Sequence, residues 1–213
     1  MLLMMSKLMI WLRPNQGEKV DAAGRRGLIN KGNSGRGRTG MIVKHLGKTP
    51  RIDPSAYVAP NAVLCGDVSI AAGCRILFGA QVIAEGGAVA IGAECIVMEN
   101  AVLRSTARHP LTIGNNCLIG PNAHVVGCRI EDQASQDQAG APGAEVAIGW
   151  IAVGDPAQIL PPNEHDKIWA TQKPLNFPLT VYGLGRDEAD MVKITRRVAE
   201  ALAGHRDDEV VMP

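Results

Sequence analysis

Residues 51–82 read RIDPSAYVAPNAVLCGDVSIAAGCRILFGAQV. Aliphatic side chains recur at every sixth position: Ile52, Val58, Leu64, Ile70, Ile76 and Val82. Four residues after each of the first five stands a small or β-branched residue: Ala56, Ala62, Val68, Cys74 and Ala80. The register breaks at AEGGAVA (84–90) and resumes at Ile91, Val97 and Leu103, with Cys95 and Ala101 in the small slots. It breaks again at RSTARHPLT (104–112) and resumes at Ile113, Ile119 and Val125, with Cys117 and Ala123.

A period of six fits neither an amphipathic helix nor a simple alternating strand. It fits short strands joined by tight corners and stacked as a parallel β-helix, with three hexads per coil. The aliphatic residue points inward, and the small residue lets the chain turn against the next coil. The two breaks then read as loops extruded from corners, where function tends to sit on a rigid stack.

Composition agrees with a core of this kind. The chain has 213 residues, 24 of them Gly, and only 3% aromatics, so its interior must be built from aliphatic and small side chains in regular layers. Net charge is +1, but residues 1–40 hold eight Lys/Arg against Glu18 and Asp21. The remainder is mildly acidic, which argues against a nucleic-acid partner there. MLLMMSKLMIWL at the start is too short to span a bilayer, and it lacks a charged region ahead of its apolar run. No membrane association is expected. The Gly- and Arg-rich stretch that follows has no periodicity. Residues 1–47 are therefore expected to be a disordered or over-extended segment, with the native start near Met41.

The β-helix is expected over 48–160. Within it, EDQASQDQAGAPGAE (131–145) is polar and carries no hexad register. An irregular loop over 131–147, in place of one or two coils, is the expectation. Residues 161–213 read as a helical cap. PPNEHDKIWATQKPL offers a short helix ended by Pro174, and Met191, Ile194, Val198 and Leu202 fall at helical spacing before Gly204. Trp150 and Trp169 are placed to seal the end of the solenoid, while Trp11 stands apart. The cysteines 65, 74, 95, 117 and 128 include no CxxC pair, and they read as buried thiols in a reducing compartment, cytoplasmic by location. No P-loop, GxSxG or dinucleotide fingerprint is present.

The stretches TPRIDPSAYVAPNAVLCGDVSI, VAIGAECIVMENAVLR, PLTIGNNCLIGPNAHVVGC and WIAVGDPAQIL resemble the gamma-class carbonic anhydrases of the hexapeptide-repeat superfamily. The resemblance covers about residues 48–130 and 148–160. It implies an all-β fold, a left-handed parallel β-helix with a C-terminal α-helix, assembled as a homotrimer with sites between subunits. It also implies reversible CO2 hydration at a zinc ion held by three histidines, one in a Val-Leu-His pattern and two in Gly-His-x-x-x-x-His. Aligned here, those ligand positions fall on Arg104, Pro121 and Val126. The family's Asn-Ile-Gln-Asp stretch becomes Ile96-Val97-Met98-Glu99, and its Arg-Gly-Asp is replaced near Ala84-Glu85-Gly86.

Candidate metal residues are then His109, in the loop after Arg104, and His124, two residues before Val126, with Glu99 or Asp132 completing a set. Strand alternation puts His124 and Val126 outward on the same side, about 6.6 Å apart, with Val125 inward. A second reading, also drawn from hexapeptide-repeat proteins, is acyl transfer from acetyl-CoA, with His124 as the general base. A third is a non-catalytic scaffold or assembly subunit without metal.

Overall fold

The computed structural model describes residues 40–136, 143–153, 158–164 and 178–208. Its strands form three sheets, one per side of a prism. A five-stranded sheet holds Met41–Val43, Val63–Cys65, Gln81–Ala84, Val102–Ser105 and His124–Val126. A six-stranded sheet runs from Arg51–Ile52 to Glu145–Val146, and a seven-stranded sheet from Tyr57–Val58 to Gln158–Leu160. As far as Ser135–Gln136, successive strands of the chain go to the three sheets in turn, and parallel pairing joins strands one coil apart. The exception is the last: Gln158–Leu160 turns back antiparallel on Ile151–Val153. The chain is a parallel β-helix, as the period of six requires.

The hexads become three interior columns. Leu64, Val82, Leu103 and Val125 stack in one sheet. Ile52, Ile70, Ile91 and Ile113 stack in the second, and Val58, Ile76, Val97 and Ile119 in the third. Apart from the half-buried Ile52, all are buried. The small slots explain themselves at the corners. Cys74 donates its S–H to the Gly92 carbonyl at 2.9 Å, Cys95 to Gly114 at 2.9 Å and Cys117 to Glu131 at 3.0 Å, so each thiol reaches the next coil. A larger residue would push those coils apart. Immediately before each of them, the turn needs left-handed backbone: φ is +70° at Gly73, 57° at Glu94, 53° at Asn116 and 57° at Gln133, the last ahead of Ala134.

Strands begin before the expected start at 48 and also occur within the expected 131–147 loop. Met41–Val43 pair with Val63–Cys65, inside the expected 1–47 segment, while residues 1–39 lie outside the described residues. Within 131–147, Ala134 fills the small column beside Cys117, and Ser135–Gln136 pair with Leu118–Ile119. Glu145–Val146 pair with Arg129–Ile130, and residues 137–142 lie outside the described residues. The register is hidden there because Gln136 holds the backbone position that Ile119 holds one coil below. Asp132 keeps the corner closed by accepting the Asn115 N–H at 2.8 Å.

Beyond the coil, Trp150 packs against the core, whereas Trp11, Trp169 and Pro174 lie outside the described residues. Pro162–Glu164 form one 3-10 turn of the expected short helix. Helix α1 spans Met191–Ala201, capped by the Asp190 carboxylate, which accepts the Lys193 N–H at 2.8 Å. Its apolar stripe lies on the seven-stranded sheet with Val198 and Leu202 buried, and Asn116 Nδ2 donates to Thr195 Oγ1 at 3.3 Å. That packing covers Ile96 and Leu118, which face outward on this sheet and are buried nonetheless. No helix among the described residues is long and apolar enough to cross a membrane.

Candidate functional site

Outward positions of the five-stranded sheet form two columns. Val63, Gln81, Val102 and His124 make one, and Cys65, Ile83, Arg104 and Val126 the other. Most of this face is apolar and half-buried, and Gln81, Arg104 and His124 are its exposed polar side chains among these eight. Alternation works as the strand geometry demands: Val125 is wholly buried between the outward His124 and Val126.

Arg104 does not extend freely into solvent. Its Nη2 lies 2.9 Å from Glu85 Oε2, contributed by the loop one coil below, and the two side chains are about half exposed. The adjoining loops are fixed by Ser105, whose buried hydroxyl donates to the Gly87 carbonyl at 2.7 Å. The sequence showed Glu85 only as part of an altered motif. Its pairing follows from register, because Arg104 sits directly over Ile83, two residues before Glu85.

His109 closes the second loop: its backbone N–H donates to the Thr106 carbonyl and hydroxyl at 3.2 Å each, and its carbonyl accepts the Thr106 N–H at 2.9 Å. It lies over Gly127, where a Cβ would come within 2.6 Å of the His109 Cβ, so glycine is required there. His124 stands at the other end of the same strand, three residues earlier, roughly 10 Å along the chain at strand rise. Pro121 belongs to the corner before it, where Asn122 is left-handed (φ 58°) and donates its N–H to the Glu99 carbonyl at 2.9 Å. Asp132 is engaged with Asn115 at another corner of the prism. Glu99 and His124 therefore adjoin one corner of the protomer, while His109 and Asp132 lie at the other two. Among the described residues no group of three or more His, Cys, Asp or Glu side chains is arranged to hold a metal ion. A shallow depression of about 340 Å³, lined by Arg51, Asp53 and Ser69 among others, lies on the six-stranded sheet and does not include His124.

No family model matches the chain. Gamma carbonic anhydrase 3, mitochondrial, of Arabidopsis thaliana is 36% identical over 93 residues, which is 41% of this chain and 36% of that relative. The carbonic anhydrase of Geobacillus kaustophilus (strain HTA426) is 30% identical over 80 residues, 38% of this chain and 44% of the relative. The chain thus spans about a third of the length of the first of these and under half of the second. A solved hexapeptide transferase family protein from Anaplasma phagocytophilum aligns with a TM-score of 0.52 at 18% identity, over 78% of this chain and 97% of that one, a likeness of fold. Over these stretches the chain is similar to gamma carbonic anhydrases, and its parallel β-helix is the fold it shares with the hexapeptide transferase family structure.

Proposed function

We propose that this chain is a trimeric, gamma-carbonic-anhydrase-like solenoid that acts as a scaffold or assembly subunit and does not hydrate CO2 at a histidine-held zinc. The observation that carries the reading is the 2.9 Å pair of Arg104 with Glu85, stacked beneath Val126. Zinc in an open catalytic site takes three protein ligands with lone pairs to donate. At the aligned positions this chain supplies a guanidinium, the pyrrolidine of Pro121 and the methyls of Val126, none of which donates one. A dication about 4 Å from the guanidinium at an effective dielectric near 20 is opposed by roughly 8 kcal/mol, and about 2 kcal/mol remains if three-quarters is screened. The residues present do not fit the ion.

Trimerisation is supported by the half-buried apolar positions Val63, Cys65, Ile83, Val102 and Val126 on one flat side, a patch suited to another copy of the chain. A reducing compartment, the cytoplasm in our reading, is supported by the five free thiols. Elemental analysis of anaerobically purified protein, paired with a CO2 hydration assay and sedimentation, tests the proposal. Substoichiometric metal, no turnover and a trimeric mass are expected; stoichiometric zinc with turnover overturns it.

The exposure of His124 favours one second reading. Its imidazole makes no hydrogen bond to a described residue and stands on the outer face, where a general base for acyl transfer from acetyl-CoA would stand. Thermal stabilisation by acetyl-CoA that is lost in His124→Ala would replace the scaffold reading with a transferase. Metal held by His109 and His124 together would require the two to meet across a subunit interface, and the same elemental analysis on His109→Ala and His124→Ala variants tests that.

A further inference from the structure

On the seven-stranded sheet, two buried polar atoms have no hydrogen-bond partner among the described residues: Tyr57 Oη and Arg75 Nε. The two residues are register neighbours on the outer face of the seven-stranded sheet. Tyr57 is 4% exposed. Arg75 spends one nitrogen, Nη1, on the carbonyls of Gly73 and Cys74 at 3.0 and 3.1 Å.

The 3-10 turn Ala203–Asp207, which follows α1, closes over this pair. His205 stacks on Tyr57 with ring centroids 6.2 Å apart and meets Phe78 edge-on at 5.2 Å. Arg206 Nη2 donates to the Ser55 carbonyl at 2.9 Å. Neither Arg75 nor Arg206 has a carboxylate within ion-pairing distance among the described residues. Burial, and then the nearby Arg206 charge, holds the Arg75 guanidinium below its usual range. The carboxylates in the neighbourhood are Asp208, which is turned to His205 Nδ1 at 2.7 Å, and Glu94, whose charge also acts on Arg75. Two buried groups able to donate, the Tyr57 phenol O–H and the Arg75 Nε–H, are therefore left unpaired among the described residues, next to a second guanidinium, that of the exposed Arg206.

We propose that this contact is a binding site for a phosphate-type oxyanion, held by Tyr57 Oη, Arg75 Nε and Arg206. Tyr57 and Arg75 are register partners on neighbouring strands, and a tetrahedral anion accepts hydrogen bonds from several donors through different oxygens. Tyr57 Oη is out of solvent, so the anion enters as the turn lifts and then holds the turn down. The site is independent of Arg104 and His124.

The test is calorimetric titration of the full chain with inorganic phosphate at neutral pH, against sodium chloride at matched ionic strength, with glycerol 3-phosphate as a second arm. Saturable binding in either arm is expected; binding only by the ester assigns the site to a phosphomonoester, and binding of inorganic phosphate assigns it to the free ion. Tyr57→Phe removes only an unpartnered hydroxyl, so it folds normally and binds roughly tenfold more weakly, as does Arg206→Gln, since each loses one hydrogen bond to a charged group. Heat no different from chloride in both arms, or binding unchanged in Tyr57→Phe, overturns the proposal.

Discussion

Arg104 and Glu85 are joined across neighbouring coils, guanidinium to carboxylate at 2.9 Å, on the side of the prism where Ile83, Arg104 and Val126 stand in one column. The pair is half exposed, so its worth to a single protomer is small, about 0.2–1 kcal/mol. Glu85→Gln is accordingly expected to lower the midpoint of thermal unfolding by no more than about 4 °C for a chain of this size. A loss of about 10 °C or more in a calorimetric scan would mean that the pair is closed off from solvent in the assembled protein.

Converting the column back should convert the chemistry. The triple variant Arg104→His, Pro121→His, Val126→His removes the guanidinium and supplies three imidazoles, so it is expected to take up about one zinc per chain. Arg104→His alone is expected to stay substoichiometric, because one imidazole does not hold the ion. Elemental analysis after dialysis reads both. A triple variant that trimerises and still binds no zinc would refute the alignment of these three positions.

The fold was legible because its signal is repeated and one-sided. Ile52, Leu64, Ile76 and their successors are hydrophobic for a single reason, burial in a column, and twelve such positions in phase leave few other folds. Legibility failed where one coil departs from its own rule. Gln136 occupies an aliphatic position in the ladder, so a polar run was read as loop although Ala134 keeps the corner. Met41–Val43 carry no such signal, because one short strand shows no period. The pairing of Arg104 with Glu85 needs the register between coils, and the contact of Tyr57 with His205 joins residues far apart in the chain.

Adjacent residues of one strand should respond in opposite ways to truncation. Leu103 is 0% exposed between Val82 and Val125, whereas Val102 points outward. Leu103→Ala is expected to cost about 2–5 kcal/mol by urea denaturation, through lost transfer energy and the cavity left behind. Val102→Ala should cost less than about 1 kcal/mol in the protomer and act mainly on sedimentation, by weakening the apolar side.

Asp190 couples the cap helix to pH. The N–H of Lys193 and then its side chain hold the Asp190 carboxyl below the usual carboxylate range. A depressed folded pKa means that the ionised form is the one stabilised. Its contribution is complete above the unfolded value near 4 and fades as the pH falls through the lower folded one. Asp190→Ala should cost about 1 kcal/mol at neutral pH. Asp190→Asn keeps a capping oxygen, so it should cost less and flatten the acid limb of the unfolding curve. An acid limb identical to that of the unmodified protein would remove Asp190 from the account.

Cys128 acts at the other end of the scale. Burial pushes its thiol up to about 11. The unfolded chain, with an ordinary thiol near 9, deprotonates first as the pH rises, so the buried neutral form stabilises the fold below about pH 9 and that stabilisation is lost towards pH 11. Two pKa units correspond to at most about 3 kcal/mol. Cys128→Ala removes a small side chain and the titration together. It should start less stable at neutral pH, by about 1 kcal/mol for the lost sulfur contacts, and then fall less steeply between pH 9 and 11. Other groups titrate in this range in both proteins, so the difference between their urea midpoints isolates the thiol. Parallel curves would show that Cys128 is reached by solvent in the folded protein, and it would then react readily with a thiol reagent.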